Sequence, residues 1–182
     1  MNIAIFGGSF DPPHLGHDMI VKESLKSLNI NKLIIIPTFL SPFKSEFGAP
    51  PLLRLQWCNE LWSNLDEKII ISDYEISQNR PVTTIESVRY FKREFNPKKI
   101  YLIIGADQLK NLDKWHKFDE LRELVSFVVA SRDWIRVESN LQKLDINVKI
   151  SSSKIKSELN FNHIPTAILD SVEKFYKDKN AK

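Results

Sequence analysis

Gly7-Gly8-Ser9-Phe10-Asp11-Pro12-Pro13-His14-Leu15-Gly16-His17 follows directly on the apolar run Ile3-Ala4-Ile5-Phe6. In that order the residues read as a short buried strand, a glycine turn and the start of a helix. The chain has five glycines and four histidines, and three of those glycines and two of those histidines fall in this one stretch. Glycine after a strand lets the backbone approach a bulky ligand closely. A helix N-terminus presents N–H groups and a partial positive charge to anions. Imidazoles added at that point indicate a site that holds phosphate; the plainer alternative is that His14 and His17 only cap the helix or pack in the core.

Outward from this stretch, apolar runs alternate with segments of helical period, the pattern of a parallel sheet wrapped by helices. The expected strands are Asn2–Phe6, Lys32–Pro37, Lys68–Ser72, Lys99–Ile104, Ser126–Ala130 and Asn147–Ile150. Helical spacing covers His14–Leu28, Leu52–Leu65, Val82–Phe95 and Phe118–Leu124, and a last helix is expected over Pro165–Lys177. Thr38–Pro51 is the longest early loop and a candidate lid or substrate loop. No repeat, low-complexity tract or linker divides the chain, so residues 1–182 read as one domain of doubly wound α/β class. In such sheets ligands sit beyond the carboxyl ends of the strands. Gly7, Gly8, Gly16 and Gly105 all fall at that edge.

Composition narrows the partners. A hydrophobic content of 42%, a charged content of 27% and a net charge of +3 are ordinary for a globular protein. Lysines and acids are interspersed with no arginine-rich tail, which argues against a nucleic-acid partner and suits small anionic substrates. Cys58 is the only cysteine, which excludes an intrachain disulfide and a cysteine cluster for a metal. Its apolar setting marks it as a buried inert thiol. No basic leader precedes an apolar core and no apolar run approaches the roughly 20 residues of a membrane span, so a cytoplasmic location is expected. A homo-oligomer is compatible with all of this.

The commoner phosphate motifs are absent: there is no G-x-x-x-x-G-K-[ST], and the first turn lacks G-x-G-x-x-G. A second cluster, Ile150-Ser151-Ser152-Ser153-Lys154-Ile155-Lys156, sets serines at a strand end and lysines in the helix that follows. Serine caps and lysine charge both suit phosphate oxygens. A third, Ile104-Gly105-Ala106-Asp107-Gln108-Leu109, is followed by Leu112, Trp115 and Glu120-Leu121. Trp115 lies between Lys114 and His116 in a polar stretch, which favours a partly exposed ring platform.

With these clusters in order, the chain resembles the nucleotidylyltransferase superfamily, whose signature is a glycine turn followed by an H-x-G-H histidine pair. Within it the chain resembles the bacterial nicotinate-nucleotide adenylyltransferases, which carry G-x-D-x-L…L…W…E-L and I-S-S-T-x-I-R motifs. The resemblance runs through nearly the whole chain. It implies a Rossmann-like fold and transfer of AMP from ATP to nicotinate mononucleotide, giving deamido-NAD and pyrophosphate. His14, His17 and Lys44 are then the implied catalytic residues. ATP would be held by Gly7, Gly8, Ser9, Phe10, His14, His17, Gly105, Asp107, Ser152, Ser153, Ile155 and Lys156. The mononucleotide would be held by Ser9, Lys44, Thr83, Thr84, Trp115, His116 and Arg132, with Trp115 stacking on the nicotinate ring. Magnesium would arrive with ATP, bound through phosphates and water, with no protein metal site.

Four segments depart from the family pattern. Lys156 stands where the motif has arginine, Thr83 where a P-S-Y-T-x-x-T segment has tyrosine, Phe43 where a P-H-K segment has histidine, and Asp133-Trp134 follow Arg132 where Pro-Gly is usual. The rival readings are a sister adenylyltransferase acting on nicotinamide mononucleotide, phosphopantetheine or FMN, and a non-catalytic nucleotide sensor.

Overall fold

The apolar runs become the strands of a single six-stranded parallel sheet. The computed structural model describes residues 1–41, 44–131, 141–146 and 150–181. The elements follow as β1 (Asn2–Gly8), α1 (Leu15–Ser27), β2 (Lys32–Pro37), α2 (Pro51–Trp62), β3 (Ile69–Ile71), α3 (Tyr74–Ser77), α4 (Thr84–Phe95) and β4 (Lys99–Gly105). A 3-10 helical stretch at Ala106–Lys114 leads to α5 (Phe118–Leu124), β5 (Ser126–Ser131), β6 (Gln142–Asp145), α6 (Ser152–Glu158) and α7 (Thr166–Asn180). The strand order is β3-β2-β1-β4-β5-β6, so the winding reverses between β1 and β4. The expected doubly wound α/β architecture is the observed one.

Alternation along each strand divides the core. Ala4, Phe6, Leu33, Ile35, Tyr101 and Ile103 face one side, where Val21 of α1 and Cys58 and Trp62 of α2 pack on them. Ile3, Ile5, Ile34, Ile36, Leu102 and Ile104 face the other, against Ile85, Val88 and Phe91 of α4 and Leu121 of α5. A third cluster joins Trp57 of α2, Ile155 of α6 and Ile168, Val172 and Tyr176 of α7. Burial pushes the Cys58 thiol well up, so it is inert, as expected.

Three expectations need correcting. The chain does not turn at the glycines: Gly7 and Gly8 continue β1, paired with Ile36 and Pro37. The reversal comes at Phe10, whose φ of 47° is left-handed, while no glycine among the described residues has positive φ. The Phe10 ring lies 3.0 Å from where a Gly8 Cβ would stand, so Gly8 is needed for close packing over that ring. The final strand is Gln142–Asp145, earlier than the expected Asn147–Ile150, of which Asn147, Val148 and Lys149 lie outside the described residues. With Leu144 its one buried residue, this edge strand carries little apolar signal. The short α3 and the 3-10 stretch lay in segments read as connections.

Candidate active site

Beyond the carboxyl ends of β1 and β4, where the winding reverses, lies a cavity of about 560 Å³. The first turn of α1 forms one wall. The Gly16 N–H donates to His14 Nδ1 at 3.1 Å, and the His14 N–H donates to His17 Nδ1 at 3.2 Å. The two rings stack with centroids 3.8 Å apart. Gly16 makes the first bond possible, because a Cβ there would stand 2.9 Å from the His14 ring. The two histidines both cap the helix and line the cavity. Accepting through Nδ1 assigns the proton of each neutral ring to Nε2, so each ring's donor function toward a ligand lies at Nε2.

The cavity brings together most of the predicted residues. Gly7, Gly8 and Ser9 at the end of β1, His14 and His17 at the start of α1, Gly105 and Asp107 at the end of β4, and Ser152 of α6 line it, as do Thr83, Thr84, Trp115 and His116. Ser152 Oγ donates to the Pro12 carbonyl at 2.9 Å, which fixes α6 against the histidine turn. Trp115 is half-buried against the α4–α5 side of the core. Among the described residues, two buried side-chain polar atoms have no hydrogen-bond partner, Thr38 Oγ1 and Trp115 Nε1. Both residues line this cavity. Buried polar atoms are nearly always satisfied, so two orphans in one cavity mark it as the place for a polar ligand.

Lys44, Ser153 and Lys156 are not in that cavity. They line a smaller one of about 310 Å³, with Asp11, Tyr176 and Lys179. At the start of α6, Ser152 lines the larger cavity and its neighbour Ser153 the smaller. Partial burial and the Lys156 charge hold the Lys44 ammonium below the ordinary lysine range. Phe10 and Ile155 are core residues, 1% and 4% exposed, and line neither cavity. Phe10 packs edge-on to Phe6, His17 and Trp62. Arg132 lies outside the described residues, as does Phe43.

Three buried polar residues that sequence reasoning passed over hold the site in shape. Asp11 accepts from the Gly48 and Ala49 N–H groups at 2.9 Å each, from Lys156 Nζ at 3.2 Å, and from the Tyr176 hydroxyl. Burial alone would raise its pKa, but the bonds from Tyr176 and Ala49 and the Lys156 charge outweigh that and hold the carboxyl below its usual range. Arg54 is 1% exposed and donates to four carbonyls, those of Ala49, Ser9, Thr38 and Phe39. It fixes the loop after β2 to the loop after β1. Glu75, on α3, lines the larger cavity and accepts from Ser87 Oγ at 2.7 Å. Asp11 stood in plain view within the opening motif, and Arg54 as a lone cation in an apolar helix. Tyr176 and Glu75 gave no local signal.

A parallel sheet that reverses beside a histidine-capped helix, with a cavity at that point, defines a doubly wound α/β protein with its candidate site at the reversal. The chain belongs to the cytidylyltransferase-like family, whose model matches residues 5–158. A protein of Campylobacter fetus subsp. fetus named "Probable nicotinate-nucleotide adenylyltransferase" is 64% identical over 182 residues, covering 100% of each chain. A protein of the same name from Sulfurimonas denitrificans is 44% identical, covering 99% of this chain and 97% of its own. Among solved structures, the Plasmodium falciparum nicotinic acid mononucleotide adenylyltransferase complexed with NaAD superposes with a TM-score of 0.77 at 19% identity, covering 98% of this chain and 96% of that one. That likeness establishes the shared fold. No helix among the described residues is long and apolar enough to cross a membrane.

Proposed function

We propose that this protein transfers AMP from ATP to the phosphate of nicotinate mononucleotide, releasing pyrophosphate and forming deamido-NAD. The observation that carries the reading is the cavity itself: the H-x-G-H histidines line it together with Trp115, and the described residues' two orphaned buried polar atoms belong to it. Relatives named for this activity, at up to 64% identity over the full length, support it. The cytoplasmic setting expected from the sequence suits both substrates.

The nucleophile is a phosphate monoester, with a second pKa of about 6, so it is mostly dianionic at neutral pH and needs no general base. One of its oxygens attacks the α-phosphorus of ATP, and the bond from that phosphorus to the α,β-bridging oxygen breaks as pyrophosphate leaves. What remains for the protein is alignment and charge stabilisation. In this reading His17 donates to the α-phosphoryl oxygens and His14 acts beside it, with both rings fixed by their capping bonds. Ser152, Ser153, Lys44 and Lys156 hold the β,γ-phosphates. Trp115 carries the pyridine ring, and the first-turn N–H groups of α4 at Thr84 and Ile85 face its carboxylate. Among the described residues no group of three His, Cys, Asp or Glu is arranged to hold a metal. Magnesium would arrive on the ATP phosphates and water and would neutralise phosphate charge there.

Replacing His17 by alanine tests the assignment. Turnover is expected to fall by at least about a hundredfold, the usual loss for one charge-stabilising donor. The thermal midpoint should drop only modestly, because one capping bond is lost. A folded His17→Ala protein with near-normal turnover contradicts it.

A further inference from the structure

Glu75 is an ionisable group in the larger cavity that the proposed chemistry does not use. It is 5% exposed, and its only hydrogen bond among the described residues is the one it accepts from Ser87 Oγ. Among the described residues no lysine, arginine or histidine lies within ion-pair distance of it. Ser87 sits on the first turns of α4, three residues beyond Thr84. The carboxyl therefore lies beside the helix start at which the acceptor's own carboxylate is expected.

We propose that Glu75 is a specificity-determining residue for the acceptor: its neutral acid form admits the nicotinate carboxylate, and its ionised form excludes that group while accepting the amide N–H of a nicotinamide analogue. The inference rests on the functional reading given above. Two carboxylates in a cavity walled by Val82, Leu102 and Ile104 repel each other far more than they would in water. A carboxylic acid beside a carboxylate, in contrast, can donate to it. Binding of the acid acceptor to ionised Glu75 is thereby linked to uptake of one proton.

The surroundings make this titration relevant near neutrality. Burial pushes the Glu75 carboxyl up to about 7; the Ser87 hydroxyl works against that and the Glu86 charge adds to it. Glu86, on α4, is held down to about 2 by Arg80 and by Thr83, so it remains an anion throughout. Arg80 is committed to it at 2.7 Å. The other charged or titratable groups lining the cavity are Asp107, Lys114, His116, His14 and His17.

The test is to measure Kd for nicotinate mononucleotide and for nicotinamide mononucleotide from pH 6 to 9, in the wild type, Glu75→Gln and Ser87→Ala. The acceptors share the same phosphate, so its titration cancels in the ratio of the two constants. In the wild type, preference for the acid is expected to be steady below about pH 7 and to fall about tenfold per pH unit above about 7.5. In Glu75→Gln the ratio should be flat. In Ser87→Ala the fall should begin at higher pH, because the hydroxyl that favours the ionised form is gone. A flat ratio in the wild type, or the wild-type slope retained in Glu75→Gln, overturns the inference. Should Glu75→Gln fail to fold, an unmoved midpoint in Ser87→Ala overturns it alone. Turnover of the acid acceptor at pH 6.5 is measured alongside: turnover with a flat ratio defeats only this inference, whereas no turnover with that acceptor defeats the functional reading itself.

Discussion

In the proposed reaction His14 and His17 serve fold and chemistry with different atoms of the same rings. Nδ1 of each is spent on the helix cap, and that bond fixes the tautomer and the aim of the other edge. Trp115 divides its ring similarly, with one side in the core cluster and the other on the cavity. Replacing it by alanine is expected to raise KM for the pyridine mononucleotide by about tenfold or more, the worth of an aromatic stacking contact, while KM for ATP stays within twofold. Steady-state kinetics with each substrate varied in turn will show this, and an unchanged KM for the mononucleotide removes the stacking role. These residues were legible in the sequence because each sits in a short motif whose spacing is fixed by local backbone. Glu75 was not: its burial depends on α4 packing across it, and four-residue α3 has no period to reveal. Arg54 showed only as a lone cation in its helix, and its role did not, since its four carbonyl partners come from segments far apart in the chain.

Among the elements, strands buried on both faces were readable as unbroken runs such as Lys32–Pro37, and α4 and α5 from their apolar stripes. The edge strand β6 was misplaced because Gln142–Asp145 is mostly exposed and polar, whereas the residues after it look more strand-like. The role of α7 was also hidden. Tyr176, on α7, reaches Asp11 in the opening motif, and Asp11 in turn holds Lys156 of α6 and the Gly48–Ala49 turn. Gly48 has no room for a side chain, since a Cβ would stand 2.6 Å from the Asp11 carboxylate. The C-terminal helix thereby braces the cavity lined by Lys44, Ser153 and Lys156, where the proposed reaction holds the phosphates. Tyr176→Phe takes a donor from a buried carboxylate and is expected to cost about 1–3 kcal/mol of stability. It should also raise KM for ATP several-fold with little change in kcat, because Lys156 and the loop lose their anchor. Denaturant melts and ATP titrations check both, and a variant unchanged in both would show that the brace is idle.

For the molecule as a whole, the strand order carries the argument. Reversal between β1 and β4 brings the glycine pair, the histidine turn and Gly105-Ala106-Asp107 to one edge. Arg54 and Asp11 then close two loops over that edge from below. In the proposed reaction this separates a triphosphate end, at Ser152, Ser153, Lys44 and Lys156, from a ring end at Trp115 and α4. Such a division fits a reaction that joins two nucleotides with no covalent intermediate and no general base. The departures at Thr83 and Phe43 bear on the acceptor rather than on the chemistry. The direct measurement is pyrophosphate release by the purified protein with ATP, magnesium and one acceptor at a time: nicotinate mononucleotide, nicotinamide mononucleotide, phosphopantetheine or FMN. The account predicts rapid release with nicotinate mononucleotide at pH 6.5, with deamido-NAD formed in equal amount, and much slower release with the others. Faster release with a different acceptor, or none with any of the four, would contradict it.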